Sequence, residues 1–385
     1  MRLLHTADWH LGRIFYGHPL TQDQAYVLED QLFSVIEDQA IDGLVIAGDI
    51  FDRPLPSLEA IQLWDRILTR LAAMKVPVFV IAGNHDSAAR LAAGRAFYGA
   101  EGVHIWGSPD QCLEPYIWES PKGSLAICPM PYAEARTVYD ALGLEEEAYK
   151  NDLNESYHAW ADRLRQGIPD GMPSLAICHA FVAGAISAGS ERPLSVGGTD
   201  YVQPRAFAGF TYTALGHIHN GQQAGLESIR YSGSPLKYSF DETLHKKAFT
   251  IVDIDENGNL SLSYIPVEAK RDLVILEGAL EDLLNDQNRR ENHKEDCVLA
   301  RLTDALPPQD GMARLRKAYP YALALEMLDL DQGSEEEITI GAYRHLEPRQ
   351  LFAQFAKAVW DRELKPDERV YMDRLWTDLE KEERA

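Results

Sequence analysis

The sequence predicts an α/β protein of 385 residues. A large domain of two packed sheets with helices takes residues 1–270. A small α+β domain takes 271–331, and a linker with a helical tail takes 332–385. Three observations carry this. Short apolar runs alternate with helical patterns through the first 270 residues, as in parallel βαβ units. Five of those runs end in Asp, Asn or His. The length exceeds one domain of roughly 100–200 residues, so two or three units are expected.

The elements follow in order. "RLLH", "GLVIAG" (43–48), "VPVFVIAG" (76–83), "SLAICPM" (124–130), "SLAICHA" (174–180) and "YTALGH" (212–217) read as strands. Between the early ones, "LEAIQLWDRILTRLAAM" places Leu58, Ile61, Trp64, Leu68 and Leu71 at helical spacing, which predicts one packing face. "KKAFTIVDID" and "LSLSYIPV" flank an Asn257-Gly258 turn and predict a closing hairpin. "SLAIC" occurs twice with no wider self-similarity, so two equivalent core strands suffice and no repeat architecture follows.

Beyond residue 270, "RDLVILEG", "ALEDLLNDQ", "EDCVLARLTD" and "GMARLRKAYPYALALEML" repeat a strand–helix pattern on a smaller scale. An acidic stretch, "DLDQGSEEEIT", reads as a linker. Two tail helices then follow. One runs over 348–364 with Leu351, Phe352, Phe355 and Val359 on one side, and the other over 366–382, opening on Pro366.

Composition excludes several classes. Apolar residues at 45% and charged residues at 25% match an ordinary globular protein. No apolar run approaches the roughly 20 residues of a membrane span. Four cysteines without a CxxC pair, and an N-terminus without a secretory pattern, point to reduced thiols in the cytoplasm. The net charge of −23 argues against a protein that grips nucleic acid alone, because such proteins carry a basic face. Metal cations or a partner with a basic surface would reconcile that charge with DNA.

The strand ends carry the chemistry. "LLHTADWH" leaves Asp8 and His10 past a strand, "LVIAGDIFD" leaves Asp49 and Asp52, "VFVIAGNHD" leaves Asn84 and His85, "LAICHA" leaves His179, and "TALGHIH" leaves His217 and His219. Ligands gather outside the carboxyl ends of parallel strands, so these side chains should converge. Imidazoles, carboxylates and an amide without thiolate suit a manganese-, iron- or zinc-type ion. Seven donors exceed one tetrahedral site and fit two ions sharing a carboxylate. Each pair alone is weak, since turn-forming Gly, Asn and Asp end many strands. The five in this order are a strong signal.

Asp-x-His, Gly-Asp, Gly-Asn-His-Asp, a lone His and Gly-His-x-His, in that order, resemble the calcineurin-like metallophosphoesterase superfamily. "HTADWHLG", "GDIFD", "GNHDS", "ALGHIH" and "YSGSPLKYSFDE" resemble its double-strand-break repair nuclease family, over about residues 1–250. The resemblance implies a β-sandwich flanked by helices and two divalent ions, Mn2+. One ion would be held by Asp8, His10, Asp49 and His219, and the other by Asp49, Asn84, His179 and His217. It implies that His85 assists the leaving group, oriented by the Asp52 carboxylate. It also implies a DNA nuclease, exonucleolytic on double-stranded ends and endonucleolytic on hairpin or single-stranded DNA, in repair and recombination. The partners it implies are DNA, a coiled-coil ATPase gripped by the tail helices, and a second copy docked through "LEAIQLWDRILTRL" and "SAARLAAGRAFYG".

Other residues read as structural. His5 and Cys178 are expected in the core, and Trp9 should pack away from the metals. Arg53 could touch a phosphate or lie in a solvated loop. The tail helices, with Phe352, Phe355, Trp360 and Trp376, fit a partner or the chain's own domain. A phosphatase or cyclic-nucleotide phosphodiesterase of the same superfamily is the alternative enzyme, disfavoured by the C-terminal extension. A scaffold with a decayed site is disfavoured because every matched ligand type is present.

Overall fold

A computed structural model describes residues 1–144, 152–187, 189, 191, 201–328 and four tail positions, 365, 368, 372 and 375. The chain divides into two units, Met1–Leu328 and Asp329–Ala385. Both expected tail helices fall in the second unit and lie outside the described residues, apart from those four positions.

Among the described residues, the first unit holds seventeen strands. They are β1 (Arg2–Thr6), β2 (Ile14–Phe15), β3 (His18–Pro19), β4 (Gly43–Ala47), β5 (Val78–Ile81), β6 (Val103–Trp106), β7 (Tyr116–Ser120), β8 (Gly123–Met130) and β9 (Ser174–His179). Then come β10 (Tyr212–Gly216), β11 (Gln222–Ala224), β12 (Leu226–Tyr231), β13 (Ala248–Ile254), β14 (Leu260–Pro266), β15 (Leu273–Gly278), β16 (Cys297–Leu302) and β17 (Ala322–Met327). One six-stranded sheet has the order β14-β13-β1-β4-β5-β6, and a second has β11-β12-β10-β9-β8-β7. In the first, β1, β4, β5 and β6 run parallel and β13–β14 is the antiparallel hairpin expected around Asn257-Gly258. In the second, β8, β9, β10 and β12 run parallel.

Strands buried on both faces read as continuous apolar runs, and β4 and β5 are buried along their whole length. An apolar core containing Leu3, Val45, Phe79, Leu125, Ile177 and Leu215 fills the space between the two sheets. A second core, with Leu44, Val80, Leu63, Ile67 and Leu71, joins the other face of the first sheet to the helices that cover it. The α/β sandwich flanked by helices is therefore what the chain adopts. A third sheet, β15-β16-β17, is all parallel and has its own small core around Leu283, Val298 and Leu315.

Helix Leu58–Met74 forms where expected. Ser57 caps it by accepting from the Ala60 amide, and Lys75 ends it in the left-handed region at φ 57°. Its packing face differs from the expected one. Trp64, Leu68 and Leu71 are buried with Ala60, Leu63 and Ile67, while Leu58 and Ile61 are 65% and 45% exposed. The inward stripe is the one through Ala60, Leu63 and Ile67, and Leu58 and Ile61 fall outside it. Among the described residues, no helix is long and apolar enough to cross a membrane.

The structural expectations for single residues hold. His5 is fully buried, its Nδ1 is 3.0 Å from the Tyr212 hydroxyl, and burial lowers it to about 3. Trp9 is buried edge-on against Trp64 and donates to Thr6 Oγ1 at 3.0 Å. Cys178 is buried, and desolvation pushes its thiol up.

Candidate metal centre

Three adjacent parallel strands of one sheet, β1, β4 and β5, and two of the other, β9 and β10, end at one place. The turns that follow them deliver the polar side chains. Four of these residues sit in the left-handed backbone region that non-glycine residues seldom enter: Asp8 at φ 55°, His10 at 46°, Asp49 at 50° and His217 at 107°. Such conformations persist where the surroundings fix them, and they collect at functional sites. Two glycines permit the close approach of these turns. A Cβ on Gly83 would lie 2.2 Å from Asp49 Oδ1, and one on Gly216 would lie 1.8 Å from the Ala47 carbonyl oxygen.

The sequence-predicted side chains come together. Asp49 Oδ2 is 3.7 Å from His10 Nε2 and 3.4 Å from His179 Nε2, so one carboxylate oxygen stands between two groups. On one side, His10 Nε2 and His219 Nε2 are 3.1 Å apart, and Asp8 joins them with a donor atom within 4.8 Å of both. On the other, Asn84 Oδ1 lies 2.9 Å from His179 Nε2 and 3.1 Å from His217 Nδ1. Asp8 also ties the two sheets together, accepting from the His217 amide at 2.9 Å.

Hydrogen bonds fix which nitrogens point inward. His179 Nδ1 donates to the Ala47 carbonyl at 2.8 Å, and His219 Nδ1 donates to Glu242 at 3.2 Å. Each ring then turns its Nε2 into the site, the arrangement by which carboxylates and carbonyls orient metal-binding imidazoles.

Asp8, His10, Asp49, His179, His217 and His219 are each under 5% exposed. Burial pushes Asp8 up to about 7 and lowers His217 to about 3, and it also lowers His10. Burial opposes ionisation of Asp49 as well, but His179, His10 and His85 hold it well below the usual carboxylate range. The same burial opposes a charged His179, yet Asp49 and Asp8 raise it to about 9. His10 Nε2 and His219 Nε2 meet at 3.1 Å beside Asp8 and Asp49, a cluster of buried polar donors that a shared cation would satisfy. The donor set fits divalent ions with nitrogen and oxygen ligands.

His85 and Asp52 depart from expectation in one respect. The His85 ring is tied by Nδ1 to the main-chain carbonyl of Asp52 at 2.9 Å, whereas the resemblance put the Asp52 carboxylate in that position. The carboxylate instead accepts from Arg13 at 3.0 Å and lies 3.7 Å from His10 Nδ1. It nevertheless stays within 4.8 Å of a ring nitrogen of His85 and of His10. Arg53 is largely exposed, with Nε 3.6 Å from the Asp52 carboxylate.

Several supporting residues escape a reading of the sequence alone. Asp86 accepts from three main-chain amides: Gly83 at 2.9 Å, Ile50 at 3.1 Å and Phe51 at 2.9 Å. It thereby staples the Asp49 turn to the Asn84 turn. Burial and the Asp49 charge push it up to about 7. Buried Glu242 holds His219 and is itself held by Lys247 at 2.6 Å. Gln24 donates to the carbonyls of Trp9 and His10, at 3.0 and 2.7 Å, and Tyr238 donates to the Trp9 carbonyl as well. Asp86 sits inside "GNHDS", and Tyr238 and Glu242 inside "YSGSPLKYSFDE". Both motifs are visible in the sequence, but neither shows which of its residues bonds to what.

Parallel strand ends that converge on a buried site lined by nitrogen and oxygen donors define a metal-dependent phosphoesterase. Comparison agrees. The family model described as calcineurin-like phosphoesterase matches residues 1–221, and one described as type 5 capsule protein repressor C-terminal domain matches 269–359. The chain is similar to the Staphylococcus epidermidis protein named as the SbcD component of the nuclease SbcCD, 30% identical over 94% of this chain and 95% of the relative. It is similar to the Staphylococcus saprophyticus protein of the same name, 30% identical over 98% of each. The chain belongs to the calcineurin-like phosphoesterase family, within its SbcD group of metal-dependent nucleases.

Proposed function

We propose that this protein hydrolyses phosphodiester bonds in DNA ends and hairpins with two divalent ions, Mn2+ by preference, as the nuclease partner of an SbcC-type coiled-coil ATPase in the cytoplasm. Asp8, His10, Asp49 and His219 would hold one ion, and Asp49, Asn84, His179 and His217 the other. The observation that carries this reading is the placement of Asp49 Oδ2 between His10 and His179, where five strands end. When bound, such a pair of ions supplies Lewis acidity and charge neutralisation for in-line displacement at phosphorus.

The chain's own residues do the rest. Glu242 and the Ala47 carbonyl engage Nδ1 of His219 and His179, so both rings direct Nε2 inward. His85 is the residue that meets the leaving oxygen. Its Nδ1 is engaged by the Asp52 carbonyl, so Nε2 is the nitrogen that gives or shares a proton. The His85 amide donates to Asp49 Oδ1 at 2.8 Å and keeps the ring beside the metal ligands.

The SbcCD name of the relatives supports the ATPase partner, and the charge of −23 supports a basic DNA path supplied by that partner. Exposed Leu58, Ile61 and Phe97 support a homodimer through the helix Leu58–Met74 and its neighbour. The test is cleavage of hairpin and linear duplex DNA with Mn2+, with and without the ATPase. EDTA and Asp49→Ala must each abolish cleavage. DNA left intact while p-nitrophenyl phosphate is hydrolysed would overturn the DNA assignment.

A further inference from the structure

Away from the metal centre, a cavity of about 750 Å³ opens between β12–β14 and the segment 235–247. It lies within the size range of small-ligand sites, roughly 300–1,000 Å³. Its lining includes four cationic side chains, Arg230, Lys237, Lys246 and Lys247, and two carboxylates, Glu268 and Asp272. Lys237 is matched by Asp272 at 2.8 Å, and Lys247 by Glu242 at 2.6 Å. Among the described residues, neither Arg230 nor Lys246 has a carboxylate partner.

Two buried nitrogens on this wall also lack a hydrogen-bond partner among the described residues, Arg230 Nε and His245 Nδ1. Glu242 lies 3.9 Å from the latter, beyond hydrogen-bond reach. The Arg230 guanidinium lies over the Tyr264 ring at 4.4 Å, which fixes its plane while leaving its Nε–H without an acceptor. A guanidinium held flat over a ring, lining the cavity and without a carboxylate partner among the described residues, is suited to a phosphate, which its terminal nitrogens can meet.

We propose that this cavity binds a phosphate-bearing anion of mononucleotide size, with Arg230 as the principal donor and Lys246 as a second charge. The site is separate from the hydrolytic centre and does not depend on it. It does share a wall with the centre, because the Lys247 ammonium also donates to the His219 carbonyl at 2.7 Å.

The test is calorimetric titration of deoxyadenosine monophosphate into the full chain stripped of metal with EDTA. One saturable site is expected, competed by orthophosphate and not by adenosine. Arg230→Gln should weaken binding about 10- to 100-fold, as expected for loss of a charge-assisted pair. Lys246→Gln, an exposed substitution that spares the fold, should weaken it by a smaller factor. Manganese content equal to that of the wild-type chain checks that each variant is folded. Binding unchanged in both variants, binding that needs restored metal, or equal binding of adenosine would overturn the proposal.

Discussion

Asp86→Ala isolates the staple between the two ligand-bearing turns. The carboxylate accepts three amides, those of Ile50 and Phe51 directly after Asp49 and that of Gly83 directly before Asn84. To an acceptor pushed up to about 7, and so charged only part of the time, each hydrogen bond contributes about 1–2 kcal/mol, and abandoned buried donors cost about 1–3 kcal/mol. The three share one acceptor, and Asp86 is only partly buried, so water can replace some of what is lost. The expected loss is therefore about 3–4 kcal/mol, toward the lower end of the sum of three separate bonds. Urea unfolding of the EDTA-treated protein measures it. Metal titration reads the second consequence: supporting residues of metal sites typically contribute about 10- to 100-fold in affinity. A variant with unchanged unfolding midpoint and unchanged metal affinity would refute the staple. One that lost stability yet bound metal normally would refute its link to the site.

Three further outcomes are expected. His85→Ala should retain its metal by elemental analysis while DNA cleavage falls about 10²–10⁴-fold, the usual size of general acid assistance. Gly83→Ala should lose metal, because its Cβ would fall 2.2 Å from Asp49 Oδ1, and the variant would have to move that carboxylate to exist. His5 supplies a pH test. Its folded value of about 3 lies below the ordinary 6.5, so the unfolded chain binds the extra proton. Stability from this group is complete above pH 6.5 and is lost as pH falls toward 3, at up to about 1.4 kcal/mol per pH unit. His5→Gln should flatten the pH dependence of urea unfolding between about pH 5 and 6.5 by that amount, and parallel slopes would contradict it.

The residues that converge could be read in the sequence because topology does the converging. Parallel strands end on the same side, so an apolar run followed by Asp8, Asp49, Asn84, His179 or His217 announces where its last side chain goes. What could not be read depends on contacts across the chain. Glu242 gains meaning only when the fold sets it against His219, and Asp86 only when its carboxylate reaches amides 35 and 36 positions away. The Asp52 carboxylate was placed by analogy, and Arg13, brought in from another loop, engages it. Periodicity gave the helix Leu58–Met74 its length but not its facing direction, because Leu58 and Ile61 are apolar and still point outward. The short strands β6, β7, β11 and β12 escaped for a related reason: edge and near-edge strands carry mixed polarity, and their pairing partners supply the definition that sequence lacks.

The direct measurement is the number of manganese ions bound per chain by wild type and by Asp49→Ala, after stripping and reloading. Two ions in the wild-type chain and fewer than one in the variant, with cleavage of hairpin DNA lost in parallel, are the predicted results. A wild-type chain that binds a single ion, or a variant that still binds two, would contradict a carboxylate shared between neighbouring sites.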